Sequence, residues 1–339
     1  MMNTLKKFST HVLLLALLVG YSSCKSDKTT KPTPKPAVKK PRVKVPKFNG
    51  DIAYQYTEKQ LSFGHRIPGT PEHAATKDWY VEKFEAAGAE VIVQEFKSSF
   101  LGLENRQSYN IIAKINPDHT NRVMLAAHWD SRLIAEKDED KVMQKKPIMG
   151  ADDGATGTAI LLHIAEVIQQ NPIDLGIDIV LFDAEDQGDS EGVETTWCLG
   201  SQYWSKNPHE PNYKAKFGIL LDMVGAKDAQ FGREGYSEAW AKPVLDKIWG
   251  LAQGMGYTDF FQNFKGGGIT DDHKYVMENR GFPMVDIINI PQNPATGKTS
   301  FGHYHHTHKD DMDIVSKRTL KVVGQVVTAV IYKESDGSF

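Results

Sequence analysis

Apolar runs alternate with amphipathic segments along most of the chain, and the runs predict buried strands. Five segments have the length and apolar content of strands in a sheet that is covered on both faces. They are Asn110–Ile115, Val123–Ala127, Ile177–Phe182, Gly218–Leu221 and Met284–Ile290. Sheets whose two faces are both buried are mostly parallel, so we expect that arrangement here.

The segments between these strands have the period of helices. A helix is predicted over residues 155–170, where five apolar side chains fall on one face: Ile160, Leu161, Ile164, Val167 and Ile168. A second helix is predicted over residues 238–254, and a third carries the apolar stripe Leu320, Val323, Val327 and Val330. This alternation predicts an α/β fold, a single domain with a central, mostly parallel twisted sheet flanked by helices on both faces.

The first residues of the chain have a different character. Lys6 and Lys7 precede the apolar run Val12–Gly20, which is shorter than the about 20 residues that a membrane span needs. A basic start followed by a short apolar core is typical of a secretory signal. We expect a lipoprotein-type signal peptide over residues 1–23 with Cys24 as its lipidated anchor. A plain secretory signal with an incidental cysteine stays open.

The residues after Cys24 predict a tether. Residues 24–47 are rich in lysine and proline and lack the apolar side chains of a core, so we expect an extended linker. A single catalytic domain is expected over residues 48–339. The protein is then exported, periplasmic and membrane-anchored, and its only membrane contact is the lipidated Cys24.

The charge of the expected domain excludes one class of partner. The chain has 339 residues and a formal net charge of −3. Residues 1–47 contribute +10 of it, so residues 48–339 carry −13. Nucleic-acid-binding proteins need basic faces, so we expect no nucleic-acid partner.

Acids and histidines follow the predicted strands. His128 comes directly after the second predicted strand, and Asp222 comes directly after the fourth. The third predicted strand is followed by Asp183, Glu185 and Asp186. Further acids and histidines lie in a glycine-flanked turn, residues 150–155, and in a histidine tract, residues 303–308. In a parallel sheet the site lies just past the carboxyl ends of the strands, so these side chains share one cavity if the ends converge. Crowded carboxylates repel, and a zinc ion with mixed His, Asp and Glu ligands would resolve the repulsion.

These residues, in this order, resemble the aminopeptidase-type zinc peptidase superfamily, whose fold is a single α/β domain. The resemblance covers about residues 50–335 and includes the segment Gly64–Thr70 near the start. Aminopeptidases of the superfamily use two zinc ions and an activated water, whereas its glutaminyl cyclases use one zinc ion. The resemblance implies five metal ligands in the two-zinc case, namely His128, Asp153, Asp186, Asp222 and His306, with Glu185 as the general base.

One position separates the two branches. The segment Asp271–His273 reads Asp-Asp-His, as in the animal-type glutaminyl cyclases, where the aminopeptidases usually have Ser-Asp-His. The match implies that Glu185, Asp222 and Asp271 are catalytic and form a hydrogen-bonded acid cluster. Close carboxylates cannot all ionise, and a protonated Asp222 is a poor ligand for a second metal. One zinc ion per chain would then be held by Asp153, Asp186 and His306.

The resemblance thus implies a zinc-dependent glutaminyl-peptide cyclotransferase. It would convert the N-terminal glutamine of peptides and exported proteins to pyroglutamate, with release of ammonia, and we expect it to act as a monomer. A di-zinc aminopeptidase, with His128 and Asp222 as ligands of the second metal, remains the alternative. A non-enzymatic binding module on the same fold is the third interpretation.

The chain also departs from the animal cyclases. The second acid of the pair is Asp186, where glutamate is usual, and His305 replaces a tryptophan that lines the pocket. We expect Tyr304 or His305 to form that wall, and Trp197 to supply the other aromatic wall. A buried core position for Trp197 stays open.

Overall fold

Six strands form the central sheet of the protein, a computed structural model that describes residues 42–339. The strands are β1 (Glu90–Phe100), β2 (Leu103–Ile115), β3 (Arg122–His128), β4 (Gly176–Phe182), β5 (Gly218–Asp222) and β8 (Met284–Ile288), and their order is β1-β2-β4-β3-β5-β8. A separate two-stranded sheet pairs β6 (Phe231–Arg233) with β7 (Phe261–Lys265). The predicted signal peptide, Cys24 and most of the linker lie outside the described residues.

Four neighbouring strands, β4, β3, β5 and β8, run parallel. Their register places His128 opposite Phe182 and Asp222 opposite Ile288, so the polar residues that follow these strands lie at one edge of the sheet. Strand β2 pairs antiparallel with β4, and β1 pairs antiparallel with β2. The β3, β4 and β5 strands are entirely buried, as their apolar runs predict.

Helices cover both faces of the sheet. They are α1 (Gly50–Leu61), α2 (Pro71–Ala86), α3 (Gly157–Gln170), α4 (Leu199–Lys206), α5 (Gly235–Trp240), α6 (Lys242–Gly254), α7 (Asp272–Arg280) and α8 (Lys317–Ser335). Helices α1, α3 and α8 pack together, with α3 on β3 and β5, whereas α4 and α7 pack together against β2, β5 and β8. The predicted single α/β architecture with a mostly parallel sheet is confirmed.

Two element boundaries differ from the prediction. The helix expected over residues 238–254 is two helices that meet at Ala241, because Pro243 in the first turn of α6 cannot continue a helix from before it. The strand expected to reach Ile290 ends at Ile288. Strands β1 and β2 together form a long hairpin, of which only the end of β2 was predicted.

The described residues form part of one compact unit, Lys40–Phe339. Within residues 42–339, we find no helix whose length and hydropathy would let it span a bilayer.

A buried ion pair links β3 to β4 near the first residues of the two strands, far from the polar residues that follow the strands. Arg122 donates two hydrogen bonds to Asp178, from Nε at 2.7 Å and from Nη2 at 2.5 Å. The hydroxyl of Tyr213 donates to the same carboxylate at 2.7 Å. Both charged side chains are buried, so each needs the other to offset the cost of leaving water.

Replacing Asp178 by alanine should therefore lower the free energy of unfolding by about 3–5 kcal/mol, because Arg122 would remain buried without its partner. Urea denaturation measures this change. Asp259→Ala removes the carboxylate of an exposed pair with Arg318 and serves as the matched control, with an expected loss below about 1 kcal/mol. Equal losses for the two variants would contradict the structural role of the buried pair.

Candidate active site

The residues predicted at the strand ends do meet in one place. His128 is the last residue of β3 and Asp222 the last of β5, and Glu185 and Asp186 lie in the turn that follows β4. Asp153 lies in the irregular turn before α3. Between 1% and 9% of the surface of each of these five residues is exposed, so they form a desolvated group of acids around one imidazole.

His128 lies between carboxylates from three segments. Its Nε2 atom is 3.0 Å from Oδ1 of Asp153 and 3.2 Å from Oδ1 of Asp222. Its Nδ1 atom is 3.5 Å from Oδ1 of Asp130. Burial disfavours the charged ring, but the three carboxylates outweigh burial and raise the pKa of His128 well above its usual value. The position of Asp153 depends on Gly154, because a Cβ atom there would lie 2.5 Å from the carbonyl oxygen of His128.

Asp153, Asp186 and His306 are suited to hold a divalent metal. His306 Nε2 is 3.0 Å from Oδ1 of Asp186 and 4.0 Å from Oδ2 of Asp153. Oδ2 of Asp153 and Oδ2 of Asp186 are both buried and have no hydrogen-bond partner among residues 42–339. An unpartnered buried carboxylate oxygen costs free energy, and a bound cation would remove that cost. One nitrogen and two carboxylates are ligands that zinc accepts.

Two further groupings near Asp153 could also bind metal. His128, Asp153 and Asp222 bring donor atoms within 4.8 Å of one another, as a second metal would require. His305 joins Asp153 and His306 in a similar group, with its Nε2 atom 3.9 Å from Oδ2 of Asp153. The geometry of the donor atoms alone therefore allows one metal ion or two.

Glu136 orients His306, a role that no pattern in the sequence predicted. Its Oε1 atom is 2.6 Å from His306 Nδ1, the ring nitrogen that faces away from Asp186. Its Oε2 atom accepts a hydrogen bond of 2.7 Å from Arg132 Nε. Burial opposes the ionised form, but these two partners outweigh it and lower the pKa of Glu136. A carboxylate on the second nitrogen of a metal-binding histidine fixes the ring and its tautomer.

Arg132 and Asp130 hold the turn that carries Glu185 and Asp186. Arg132 donates to the backbone carbonyls of Asp186, at 2.6 Å, and Gly188, at 3.0 Å. Asp130 accepts from the backbone N–H groups of Glu185, at 3.0 Å, and Asp186, at 3.2 Å. Both residues lie in the loop after β3, where no periodic pattern distinguishes a positioning residue from an ordinary loop residue.

The three predicted catalytic acids lie in the same cleft. Burial raises the pKa of Glu185 well above its usual value, and the charges of Asp271 and Asp186 add to the effect, against that of His128. Burial also raises the pKa of Asp222 to about 8, with the charge of Asp271 adding to the effect. Each acid thus makes its neighbours harder to ionise.

The hydrogen bonds of this group differ from the predicted direct bonding between the acids. Within residues 42–339, Glu185 Oε1 accepts a hydrogen bond from Sγ of Cys198 at 3.2 Å. Asp271 Oδ1 accepts the backbone N–H of Asp272 at 2.5 Å and so caps α7. Asp271 therefore reaches the cleft from a helix N-terminus, where its carboxylate is fixed by the backbone.

The cleft at these acids has a volume of about 550 Å³. Besides the acids, its walls include aromatic and apolar side chains and one lysine: Lys137, Trp197, Ile288, Phe301 and His305. The Trp197 ring stacks on His306 with centroids 5.8 Å apart, and the Arg132 guanidinium lies 4.5 Å from the Trp197 ring centroid. Trp197 is half-buried at the cleft and is not a core residue.

Tyr304 does not form a wall of this cleft. Its hydroxyl donates to Asp152 and accepts from Nδ2 of Asn289 at 2.9 Å, and the ring is buried in a small apolar cluster behind the cleft. The prediction for Tyr304 is therefore corrected, because a buried phenol needs polar partners and finds them behind the site. His305 takes the wall position, stacked on Phe301 with ring centroids 4.2 Å apart.

Three residues around the cleft have left-handed backbone conformations. Ala184, Met223 and His306 have positive φ values of 52°, 47° and 58°. Non-glycine residues rarely adopt such angles, and those that do cluster at functional sites. The three residues lie at the ends of β4 and β5 and in the histidine tract. Their strained backbone agrees with a functional role for the strand ends that line the cleft.

Comparison with protein families matches residues 110–331 to the model of peptidase family M28. The matched region contains every acid and histidine described at the cleft. It also contains Glu136, Arg132 and Cys198.

Relatives of known structure or curated function are similar over most of the chain. A glutaminyl cyclase from Tannerella forsythia is 46% identical, with a TM-score of 0.80, over 85% of this chain and 99% of that one. A Zn-dependent exopeptidase from Parabacteroides distasonis is 44% identical, with a TM-score of 0.82 and the same coverage. The glutaminyl-peptide cyclotransferase of Drosophila melanogaster is 25% identical over 289 residues, which are 77% of this chain and 75% of that protein.

Glu136→Gln should weaken Zn²⁺ binding by about 10-fold to 100-fold, because the amide cannot hold His306 as the carboxylate does. Competition with a chromogenic chelator measures the affinity. Ser190→Ala is the matched control, since Ser190 Oγ donates to the same carboxylate at 2.7 Å from the exposed side. Its affinity should stay within about twofold of the parent. An unchanged affinity in Glu136→Gln would contradict the orienting role.

Proposed function

The chain belongs to peptidase family M28, and from that membership and the cleft we propose that it is a zinc-dependent glutaminyl-peptide cyclotransferase. It converts an N-terminal glutamine to pyroglutamate and releases ammonia. The observation that carries the proposal is Asp271, which lines the cleft beside Glu185 and Asp222. The resemblance in sequence gives this position a serine in the aminopeptidases and an aspartate in the animal-type cyclases.

The reaction needs one group that can both accept and donate a proton. The α-amino nitrogen forms a bond to the side-chain amide carbon of the same glutamine, and the bond from that carbon to the amide nitrogen breaks. Glu185 accepts the proton that the amine loses and returns it to the departing nitrogen, which leaves as ammonia. A carboxyl group whose pKa is raised well above its usual value suits both steps near neutral pH.

Asp222 and Asp271 support Glu185 in this role. Both are buried beside it, and the charge of Asp271 raises the pKa of both Glu185 and Asp222. An acidic cavity also attracts the cationic α-amine of the substrate. Nucleophile and electrophile belong to one residue, so the protein mainly orients the glutamine and stabilises the charges that develop.

Asp153, Asp186 and His306 are the proposed zinc ligands, with one ion per chain. Bound zinc supplies a Lewis acid, which polarises the side-chain carbonyl of the glutamine. A single ion is supported by Asp222, because burial raises its pKa to about 8 and a protonated carboxyl is a poor ligand. Asp186 is one methylene shorter than the glutamate that is usual here, and Arg132 holds its backbone carbonyl close to the cleft.

Trp197 and His305 are the proposed walls of the substrate pocket. Both line the cleft, and His305 stacks on His306 with centroids 3.6 Å apart. Burial and the neighbouring His306 lower the pKa of His305 well below its usual value, so its ring is neutral. A neutral ring leaves the acidic cavity free to attract the substrate's amine.

A di-zinc aminopeptidase is the second candidate, and one observation favours it. His128, Asp153 and Asp222 already lie within the distances that a second metal would require. The exopeptidase of Parabacteroides distasonis, at 44% identity, has the activity class that this arrangement would serve.

Outside the described residues, we propose that residues 1–23 direct export and that Cys24 is lipidated. The basic, proline-rich residues between Cys24 and the compact unit Lys40–Phe339 then tether a monomeric, periplasmic enzyme to the membrane. Its substrates are peptides and exported proteins with an N-terminal glutamine. Cleavage of signal peptides generates such N-termini in the same compartment.

Product masses test the function directly. The purified protein is incubated with one peptide that begins with glutamine and one that begins with leucine. We expect the glutamine peptide to lose the mass of one ammonia and the leucine peptide to stay intact. Release of free leucine would support the aminopeptidase and contradict the cyclotransferase.

Glu185→Gln should lower the cyclisation rate by about 10²-fold to 10⁴-fold, because the amide cannot accept the amine proton. Zinc content measured on the same preparation should be unchanged, since Glu185 is not among the proposed ligands. A variant that keeps its rate would contradict the assignment of the base, and a variant that loses its zinc would place Glu185 among the ligands instead.

A further inference from the structure

The cleft carries a cationic side chain in addition to its acids. Among residues 42–339, Lys137 is the only lysine or arginine that lines it. Lys137 is an exposed residue, whereas Glu185, Asp222 and Asp271 are buried, so the lysine lies nearer to the solvent than these acids do. The cleft therefore has a positive charge at its mouth and ionisable acids at its floor.

Three contacts fix the position of Lys137. Its Nζ atom donates to Nδ1 of His305 at 2.5 Å and lies 5.4 Å from the centroid of the Phe301 ring. Its backbone N–H donates to the carbonyl oxygen of His306 at 3.3 Å. A free lysine side chain loses much rotamer freedom when it binds a ligand. Because Lys137 is already held, a ligand that binds its ammonium group incurs less of this entropic cost.

The ammonium group has no anionic partner in the described part of the chain. The acids beside it in sequence pair elsewhere: Glu136 with His306, Asp138 with His308 and Glu139 with Lys309. Burial lowers the pKa of Lys137, and the charges of nearby acids oppose this effect only in part. A carboxylate bound beside Nζ would stabilise the charged ammonium. A bound anion would thus supply the partner that the protein itself does not.

Two acids on the outer wall of the cleft, Asp189 and Glu194, already have partners of their own. Glu194 pairs with Lys274 at 2.6 Å, and Oδ1 of Asp189 accepts the backbone N–H of Glu191 at 3.0 Å. Neither acid forms an ion pair with Lys137. The charge of Lys137 is therefore available to a negatively charged part of the substrate.

We propose that Lys137 determines substrate specificity by binding a carboxylate on the residue that follows the N-terminal glutamine. This role rests on the proposed function, which places the glutamine at Asp153 and the other zinc ligands. The His305 ring separates the two positions, with Nδ1 at Lys137 and Nε2 3.9 Å from Oδ2 of Asp153. Consecutive residues of a peptide lie about 3.8 Å apart, so the second residue of the substrate lies near the outer side of this ring.

Substrate and cleft then have complementary charges at both ends. The cationic α-amine points to the acids at the floor, and the carboxylate points to Lys137 at the mouth. The carboxylate belongs either to an aspartate or glutamate side chain or, in a dipeptide, to the free C-terminus. Both sources offer the same chemistry, and peptides that carry only one of them distinguish the two.

Cyclisation of two matched pairs of peptides by the zinc-loaded, full-length chain tests the role of Lys137. In the first pair the second residue is glutamate or glutamine, and both peptides end in an amide. In the second pair a glutaminyl-alanine dipeptide ends in a free carboxylate or in an amide. We expect kcat/KM to be about fivefold higher for the carboxylate member of at least one pair. High salt should weaken this preference.

Substitutions of Lys137 show whether the preference depends on its charge. Lys137→Met keeps the length of the side chain and removes the charge, so the preference should disappear, whereas Lys137→Arg should retain it. A displaced His305 ring would affect both members of a pair, so the ratio of their kcat/KM values isolates the effect of charge. Lys141→Met is the matched control, because it removes an exposed lysine of the same loop whose Nζ contacts Gln144. This control should keep the preference.

Binding of the pyroglutamyl products repeats the comparison without turnover. Calorimetry should show about fivefold tighter binding of the carboxylate product, and Lys137→Met should abolish the difference. Equal values within both pairs, or a preference that survives Lys137→Met, would overturn the role of Lys137, while cyclisation of the neutral peptides would still support the proposed function. If no peptide is cyclised, the proposed function is wrong, and the calorimetric comparison then decides by itself whether Lys137 binds a carboxylate.

Discussion

Most of this site follows from one constraint, the crowding of carboxylates at a buried edge of the sheet. Parallel strands β3, β4 and β5 deliver His128, Glu185 with Asp186, and Asp222 to the same edge, and the core behind them excludes water. In that environment the acids cannot all ionise. The protein distributes the charge in three ways: some oxygens pair with His128, some groups keep protons, and some oxygens are left for a metal.

Surrounding residues fix the positions of the crowded acids and of His306. Asp130 and Arg132 hold the turn of the acid pair through its backbone, so the positions of Glu185 and Asp186 do not depend on their own contacts. Glu136 fixes the ring of His306 from the opposite side. Left-handed backbone at Ala184 shows that the turn is held in a conformation it would not adopt alone.

The sequence predicts those parts of the fold and site that depend on local pattern. Buried strands such as Val123–Ala127 are apolar throughout and can be recognised in the sequence. A polar residue that follows such a strand lies at the carboxyl end of a parallel sheet, where sites form. The break at Ala241 could also have been predicted, because Pro243 is visible in the sequence. Glu136 and Arg132 could not, since their roles depend on a loop that crosses from β3 to the histidine tract. Tyr304 was misplaced because adjacent residues of an irregular tract point in different directions, and only the fold decides which of Tyr304 and His305 faces the cleft.

We propose that one zinc ion and a protonated Asp222 serve a proton transfer by Glu185. Titrating the metal-free protein with Zn²⁺ while the cyclisation of a glutamine peptide is measured tests it most directly. We expect the rate to rise to its maximum at one Zn²⁺ per chain and a leucine peptide to stay intact throughout. A rate that keeps rising to a second equivalent, or leucine released as that equivalent binds, would contradict it and assign His128 and Asp222 to a second metal.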